Sequence, residues 1–170
     1  EPYRLIRVTS YLDPWADPLN TGFQLTQALI AFGRGEWTGV GLGSGIQKLF
    51  YLPEAHTDFL LAVIGEELGL IGTLVVMVLF ICVVWRIFAI AIEAERVGRR
   101  FQSHLANGVA MWFSIQAVVN VGVNVGLLPT KGLTLPFMSY GSNSVLVACI
   151  AIGLILRIDW ENRQQNAITG

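Results

Sequence analysis

Residues 59–85 read FLLAVIGEELGLIGTLVVMVLFICVVW, a nearly continuous apolar run. A helix needs about 20 predominantly apolar residues to cross the hydrocarbon core of a bilayer, and this run is long enough. The whole chain agrees with that assignment, because 54% of its residues are hydrophobic and only 14% are charged, against about 25% charged in soluble domains. We therefore predict an all-α polytopic membrane protein whose first span lies in this run.

Further apolar runs on the C-terminal side predict two more spans. We place the three transmembrane helices at about 59–86, 106–128 and 139–157, and assign residues 161–170 to a cytoplasmic tail. Residues 1–58 lack such a run and are predicted to form an extracytoplasmic loop region. Apolar residues at helical spacing from Leu19 to Phe32 predict one interfacial or bundle-packed helix there, too short and too polar to span.

The arginines indicate the orientation of the spans. Six of them lie in the 86–105 connection and after the last span: Arg86, Arg96, Arg99, Arg100, Arg157 and Arg163. The 129–138 connection carries a single cation, Lys131. Cytoplasmic loops carry the excess of Lys and Arg. We therefore predict that the arginine-rich segments are cytoplasmic and that Asp58 and Lys131 share the outer face of the membrane.

Asp58 precedes the first span and is the main catalytic candidate. Ionisable residues at a membrane border are costly unless they are satisfied, which makes them functional candidates. A carboxylate there can deprotonate a hydroxyl group, while Lys48 and Lys131 hold a phosphate and stabilise it as it leaves. The alternative is that Asp58 caps the helix and binds its orphan N–H groups. The residue types alone do not separate these two roles.

A glycine-rich segment precedes Asp58, with six glycines between Gly33 and Gly45. It is predicted to be a compact loop with unusual backbone angles, and the alternative is a loop that approaches a diphosphate. Gln47 and Lys48 follow it. Lys48 is either a solvated surface cation or, together with Asp58, part of a site for an anionic ligand.

Small and polar residues form rows inside the predicted spans. One row on the first span runs from Asp58 through Ala62, Gly65, Glu66, Gly69, Gly72 and Thr73. Within it, Glu66 has either a pairing role or a direct role in the site. On the second span, Gln116, Asn120 and Asn124 recur at every fourth position and line one helix face. These amides either bond across helices or face a ligand.

Charge and cysteine content exclude other classes of function. The net charge is −1 and no basic stripe is present, which argues against a nucleic-acid partner. Cys82 and Cys149 lie far apart in apolar runs, so we predict that they are small buried hydrophobic residues.

Several motifs resemble those of the SEDS family of polytopic bacterial glycosyltransferases. They are the stretch from Gly41 to Lys48, LPEAHTDF at 52–59, EELG at 66–69 and PTKGLTLPF at 129–137. Ala55, where the elongation members tend to carry Arg, indicates the cell-division branch. The family usually continues its last motif as Ser-Tyr-Gly-Gly-Ser-Ser, whereas this chain reads SYGSNS at 139–144. This departure leaves any role of Ser142 and Asn143 open.

The resemblance implies a fold of about ten transmembrane helices, of which this chain holds the last three and a large outer loop. It implies polymerisation of lipid II into peptidoglycan glycan strands at the septum of the bacterial inner membrane, with undecaprenyl diphosphate leaving. Asp58 matches the family's essential aspartate, a base for the acceptor hydroxyl. The residues expected to bind substrate are Lys48, Lys131, Glu54, His56, Gln47, Glu66 and Ser139.

The resemblance also implies binding partners for the protein, and two alternative functions stay open beside it. The expected partners are a class B penicillin-binding protein (FtsI-like), other divisome membrane proteins and membrane lipids. No cofactor is certain, and a divalent cation, Mg²⁺ or Mn²⁺, near the diphosphate stays open. The alternatives are a lipid II transporter, because broken helices and polar rows also build translocation paths, and a non-catalytic scaffold for the crosslinking enzyme.

Overall fold

The part of the chain that the structure describes contains four α-helices. A computed structural model describes residue 15 and residues 22–45, 58–129, 134–139 and 142–169. The helices are α1 (Phe23–Gly35), α2 (Leu60–Arg96), α3 (Arg100–Asn124) and α4 (Ser142–Thr169), and the described residues include no strand. Three of the helices, α2, α3 and α4, are long and apolar enough to cross a membrane. The prediction of an all-α polytopic membrane protein is confirmed.

Helix α2 contacts each of the other three helices and holds two cores together. Near the arginine-rich end, α2, α3 and α4 share a core that includes Ile90, Phe113 and Ile155. At the opposite end, α1 packs on α2 and α3 through residues that include Ala28 and Ala62. Alanines let the helix backbones approach closely. Helix α1 is therefore packed into the bundle, which was one of the two arrangements expected for this segment.

The helices continue past the predicted ends of the spans. Helix α2 extends to Arg96 and α4 extends to Thr169. Residues 161–169 are therefore helical, and their assignment to a cytoplasmic tail stays a prediction. Side-chain contacts with α2 and its C-terminal turn explain the continuation: Arg99 pairs with Glu161 at 2.6 Å, and Asn166 donates to Glu93 at 2.7 Å.

Helix α2 is broken at Gly69, whose φ of 67° and ψ of −165° are not helical. The glycine-rich segment satisfies the backbone groups that the break releases. The N–H groups of Val40 and Gly41 donate to the Glu66 and Glu67 carbonyls at 3.0 and 3.1 Å, and the Leu70 N–H donates to a carbonyl of the same segment at 2.9 Å. Broken helices are tolerated at membrane depth when protein groups re-satisfy the backbone. Of the two interpretations of the glycine-rich segment, the described part, through Gly45, supports the compact loop.

The two cysteines are exposed on the surface of the described fold. The prediction that Cys82 and Cys149 are buried is therefore wrong for this part of the structure. Both lie on apolar helices whose outward faces have no partner among the described helices, and an apolar run alone does not distinguish an inward from an outward position.

Candidate active site

Two asparagines of α3 hold the main chain at Asp58. The Nδ2 atoms of Asn120 and Asn124 lie 3.1 and 3.0 Å from the Asp58 carbonyl oxygen. The Asn124 Oδ1 atom accepts the Ala62 N–H at 3.2 Å. Both asparagines are buried, with 2% and 0% of their surface exposed. We call this arrangement, formed by Asn120 and Asn124 on the Asp58–Ala62 turn, the amide clamp.

The amide clamp decides between the two roles considered for the amide row of α3. Its members bond to main-chain groups of a neighbouring segment, so the interhelical role is the one found. Asn120 and Asn124 face protein and not an open channel, which disfavours their use as a translocation path. Phe59 occupies the cap position of α2, and Asn124 accepts the Ala62 N–H. The residue at the cap position is thus Phe59, and the two roles considered for the Asp58 side chain stay predictions.

The same face of α3 also binds the segment that follows Lys131. One turn before Asn120, the Gln116 Nε2 atom donates to the Thr134 carbonyl at 2.9 Å. The Thr134 hydroxyl lies 3.2 Å from the Ser144 hydroxyl near the start of α4. The amide row thus brings the Asp58 turn and the 134–139 segment to one end of the bundle.

Ser139 closes a tight turn in the 134–139 segment. Its Oγ atom accepts the Leu135 N–H at 2.8 Å, and its own N–H donates to the Leu135 carbonyl at 3.1 Å. Ser139 is 1% exposed. Phe137, within the turn, has a positive φ of 65°, which is uncommon for a bulky residue. In the described structure the Ser139 hydroxyl therefore fixes this turn, and substrate binding by Ser139 stays a prediction.

Glu66 lies at the α1–α2 contact, at the break in α2. Its Oε1 atom accepts a hydrogen bond from Arg34 Nη1 at 2.9 Å, and the carboxylate is fully buried while Arg34 is 39% exposed. The glycine-rich segment covers the other side, because a Cβ on Gly45 would lie 2.9 Å from Glu66 Oε2. The pairing role considered for Glu66 is found, and its direct role in the site stays a prediction.

Five of the predicted site residues lie outside the described residues: Gln47, Lys48, Glu54, His56 and Lys131. The structure describes the residues that flank them, Gly45 and Asp58 on one side and Pro129 and Thr134 on the other. Among the described residues, no three His, Cys, Asp or Glu side chains are grouped to hold a metal ion.

An apolar cavity of about 730 Å³ lies between α2 and α3. Leu61 and Leu135 are among the residues that line it. Because its lining is almost wholly apolar, it offers no group for acid–base chemistry.

Two features of the site were not predicted from the sequence. The break at Gly69 falls inside a continuous apolar run, where Gly69 and Gly72 indicate only a row of small residues. The second feature is the partner of Glu66, Arg34. A carboxylate buried in a span needs a counter-charge, and Arg34 is an arginine within the glycine-rich segment. That requirement is a signal that could have linked Arg34 to Glu66.

Comparison with known proteins identifies the family of the chain. The family model described as Cell cycle protein, named for FtsW, RodA and SpoVE, matches residues 1–164. The chain belongs to this family. The resemblance drawn from the SEDS motifs is thus confirmed, including its emphasis on the cell-division branch, because the similar relatives below are named FtsW.

The relatives cover nearly all of this chain. The probable peptidoglycan glycosyltransferase FtsW of Nitrosococcus halophilus is 65% identical over 162 residues, which is 95% of this chain and 42% of the relative. The protein of the same name from Methylococcus capsulatus is 68% identical over 156 residues, 92% of this chain and 39% of the relative. The chain thus spans about two fifths of the length of these relatives.

A solved structure has the same fold over the same region. It is described as the structural coordination of polymerization and crosslinking by a peptidoglycan synthase complex, and the match has a TM-score of 0.71 at 31% identity. The match covers 96% of this chain and 44% of that chain.

Proposed function

We propose that this chain provides the catalytic end of a peptidoglycan glycosyltransferase that polymerises lipid II during septal cell-wall synthesis. Family membership and the names of the relatives support the reaction class. The observation that carries the assignment to this part of the chain is the amide row of α3. It binds both the Asp58 turn and the segment after Lys131 at one end of the bundle.

In the proposed reaction, the Asp58 carboxylate accepts the proton of the 4-hydroxyl of the acceptor GlcNAc. The hydroxyl oxygen forms a bond to the anomeric carbon of the donor, and the bond from that carbon to the diphosphate breaks. The electron pair leaves with undecaprenyl diphosphate. Lys48 and Lys131 stabilise the negative charge of the leaving diphosphate, as cations do in phosphate sites.

The other residues have supporting roles in this proposal. Gln47, Glu54, His56 and Ser139 contact or shape the site for the saccharide and diphosphate. For Glu66, the ion pair with Arg34 favours a role in fixing the broken helix over direct contact with substrate. A divalent cation, Mg²⁺ or Mn²⁺, enters no step, and the dependence of polymerisation on added cation would test its involvement.

We further propose that a class B penicillin-binding protein (FtsI-like) and other divisome membrane proteins bind the full-length protein in the inner membrane at the septum. The description of the solved structure, polymerization coordinated with crosslinking in one complex, supports a crosslinking partner. Co-purification of the full-length protein with such an enzyme from detergent-solubilised membranes would test this.

Substitution of Asp58 tests the reaction directly. General-base catalysis contributes about 10²–10⁴-fold to rate, so Asp58→Ala and Asp58→Asn in the full-length protein should lower the rate of glycan-strand formation from lipid II by at least about 100-fold. Lipid II should still bind. Wild-type polymerisation by both variants would overturn the base assignment. Lipid II transport into vesicles without polymer formation by the wild-type protein would instead support the transporter.

A further inference from the structure

We propose that Asn120 and Asn124 are positioning residues that set the place of the Asp58 carboxylate by binding its main chain. This inference rests on the proposed role of Asp58 as the base. Neither asparagine needs to touch the substrate, and each acts through the residue that does.

The geometry at the start of α2 supports this role. In a regular α-helix, the N–H of residue i+4 donates to the carbonyl of residue i. Here the Asn124 side chain lies between such a pair, because its Nδ2 is 3.0 Å from the Asp58 carbonyl and its Oδ1 is 3.2 Å from the Ala62 N–H. The Ala62 N–H also lies 3.0 Å from the Phe59 carbonyl. The Asn124 amide therefore takes the place of the main-chain bond between the Asp58 carbonyl and the Ala62 N–H. Asp58 is thereby held outside the helix.

Burial makes the amide clamp stiff. The asparagine side chains are almost completely buried, and the Asn124 Nδ2 atom also lies 2.9 Å from the Asn120 carbonyl on its own helix. Phe59, next to Asp58, is 2% exposed and packs into the core shared by α1, α2 and α3. With its carbonyl bound and its neighbour buried, the main chain of Asp58 is held in place.

Two neutral amides suit this position better than a charged donor would. A carbonyl oxygen with two buried N–H donors is fully satisfied, and hydrogen bonds are electrostatically stronger in a low-dielectric interior. An arginine or lysine in the same place would add the desolvation cost of a buried charge. The amides fix the position of Asp58 without adding a charge.

Loss of either amide should therefore lower turnover more than substrate affinity. A misplacement of a reacting group by about 1 Å can cost about 100-fold in rate. We expect kcat for polymerisation to fall by about 10- to 100-fold in Asn120→Leu and Asn124→Leu, while KM for lipid II stays within about threefold of wild type.

Asn162 offers a matched control on the same protein. It is also a buried asparagine, 2% exposed, whose Nδ2 donates across a helix contact to the Ile90 carbonyl at 3.3 Å. It lies in the α2–α4 contact near the arginine-rich end, away from Asp58. Asn162→Leu removes the same kind of bond, so its effect on kcat measures the purely structural cost.

The experiment compares these variants in the full-length protein with lipid II as substrate. It measures kcat, KM and the thermal unfolding midpoint, Tm. A kcat at least tenfold below that of Asn162→Leu, with similar Tm and KM, supports the proposal. A kcat equal to that of Asn162→Leu, or a change in KM alone, overturns it.

Where a leucine variant does not yield folded protein, Asn120→Ala and Asn124→Ala are compared with Asn162→Ala. A much lower Tm in those alanine variants also overturns the proposal, because the amides are then structural.

Asp58→Ala separates this inference from the proposed function. If Asp58→Ala polymerises lipid II at the wild-type rate, the proposed base fails and the amides have no catalytic group to position. If Asp58→Ala is inactive while the Asn120 and Asn124 variants behave like Asn162→Leu, the base stands and only the positioning role fails.

Discussion

The Arg34–Glu66 pair joins α1 to the broken part of α2. Removing Arg34 alone should lower stability more than removing both charges. Arg34→Ala leaves a fully buried carboxylate without its guanidinium. Breaking a buried pair from one side costs about 3–5 kcal/mol, and partial exposure of Arg34 reduces our expectation to about 2 kcal/mol. Adding Glu66→Gln to Arg34→Ala should recover part of that loss, because no buried charge is then left. Thermal unfolding of the detergent-solubilised protein measures the stability of the single variant and of the double variant.

Arg86 provides the control for this pair. It pairs with Asp159 at 3.0 Å, but its side chain is 58% exposed, and exposed pairs contribute about 0–1 kcal/mol. Arg86→Ala should therefore change stability much less than Arg34→Ala. Equal losses in the two variants, or a double variant less stable than Arg34→Ala, would contradict the assignment of Glu66 to a buried pair.

At the residue scale, the sequence could predict types of interaction but not partners. Asp58 and Glu66 stand out because a carboxylate in or beside an apolar run is costly unless another group satisfies it. The spacing of Asn120 and Asn124 predicts a shared helix face. Their partners, a main-chain carbonyl and an N–H at the start of another helix, depend on the packing of α3 against α2. No local pattern contains that information.

At the scale of the elements, the break in α2 should tolerate no side chain at Gly69. Its backbone angles lie in a region used essentially by glycine, where other residues cost about 1–3 kcal/mol. A Cβ there would also lie within 2.6 Å of the Trp37 carbonyl group. Gly69→Ala should therefore lower stability by about 3 kcal/mol or more, seen as a fall in Tm.

Gly108 is the matched control for that substitution. It lies within helix α3, and a Cβ there would meet no atom within 4 Å. Alanine is a better helix former than glycine by about 1 kcal/mol, so Gly108→Ala should leave Tm unchanged or raise it. A similar fall in Tm for both variants would mean that the break does not require glycine.

The elements show which patterns carry structural information. Apolar runs predicted where α2, α3 and α4 lie, because burial and membrane insertion both depend on hydrophobic content. The same content runs through Gly69 without a change, so hydropathy could not reveal the break. The helix ends differ from the predicted span ends for another reason. Asp159 and Glu161 pair with arginines within α4 and with arginines of α2 and its C-terminal turn, so polar residues after the last span are held in the helix.

At the scale of the whole molecule, the two ends of the bundle have different chemistry. One end carries arginine–carboxylate pairs between α4 and either α2 or the turn that follows it, including Arg99 with Glu161. The other end carries Asp58, the amide clamp and the 134–139 turn, which are held mainly by neutral hydrogen bonds. The positive-inside rule predicts that the arginine-rich end is cytoplasmic, and that orientation stays a prediction.

Site-specific labelling tests that orientation. Leu127 and Gln164 are both exposed. They lie toward opposite ends of the bundle, because Leu127 follows the amide clamp and Gln164 follows the Arg99–Glu161 pair. In a background with Cys82→Ser and Cys149→Ser, a membrane-impermeant maleimide should label Leu127→Cys from the periplasmic side and Gln164→Cys only in inverted vesicles. The physical reason is the positive-inside rule, since the arginines cluster at the end that holds Gln164. Labelling with the opposite pattern would place Asp58 in the cytoplasm, where a lipid-linked disaccharide on the outer leaflet could not reach it.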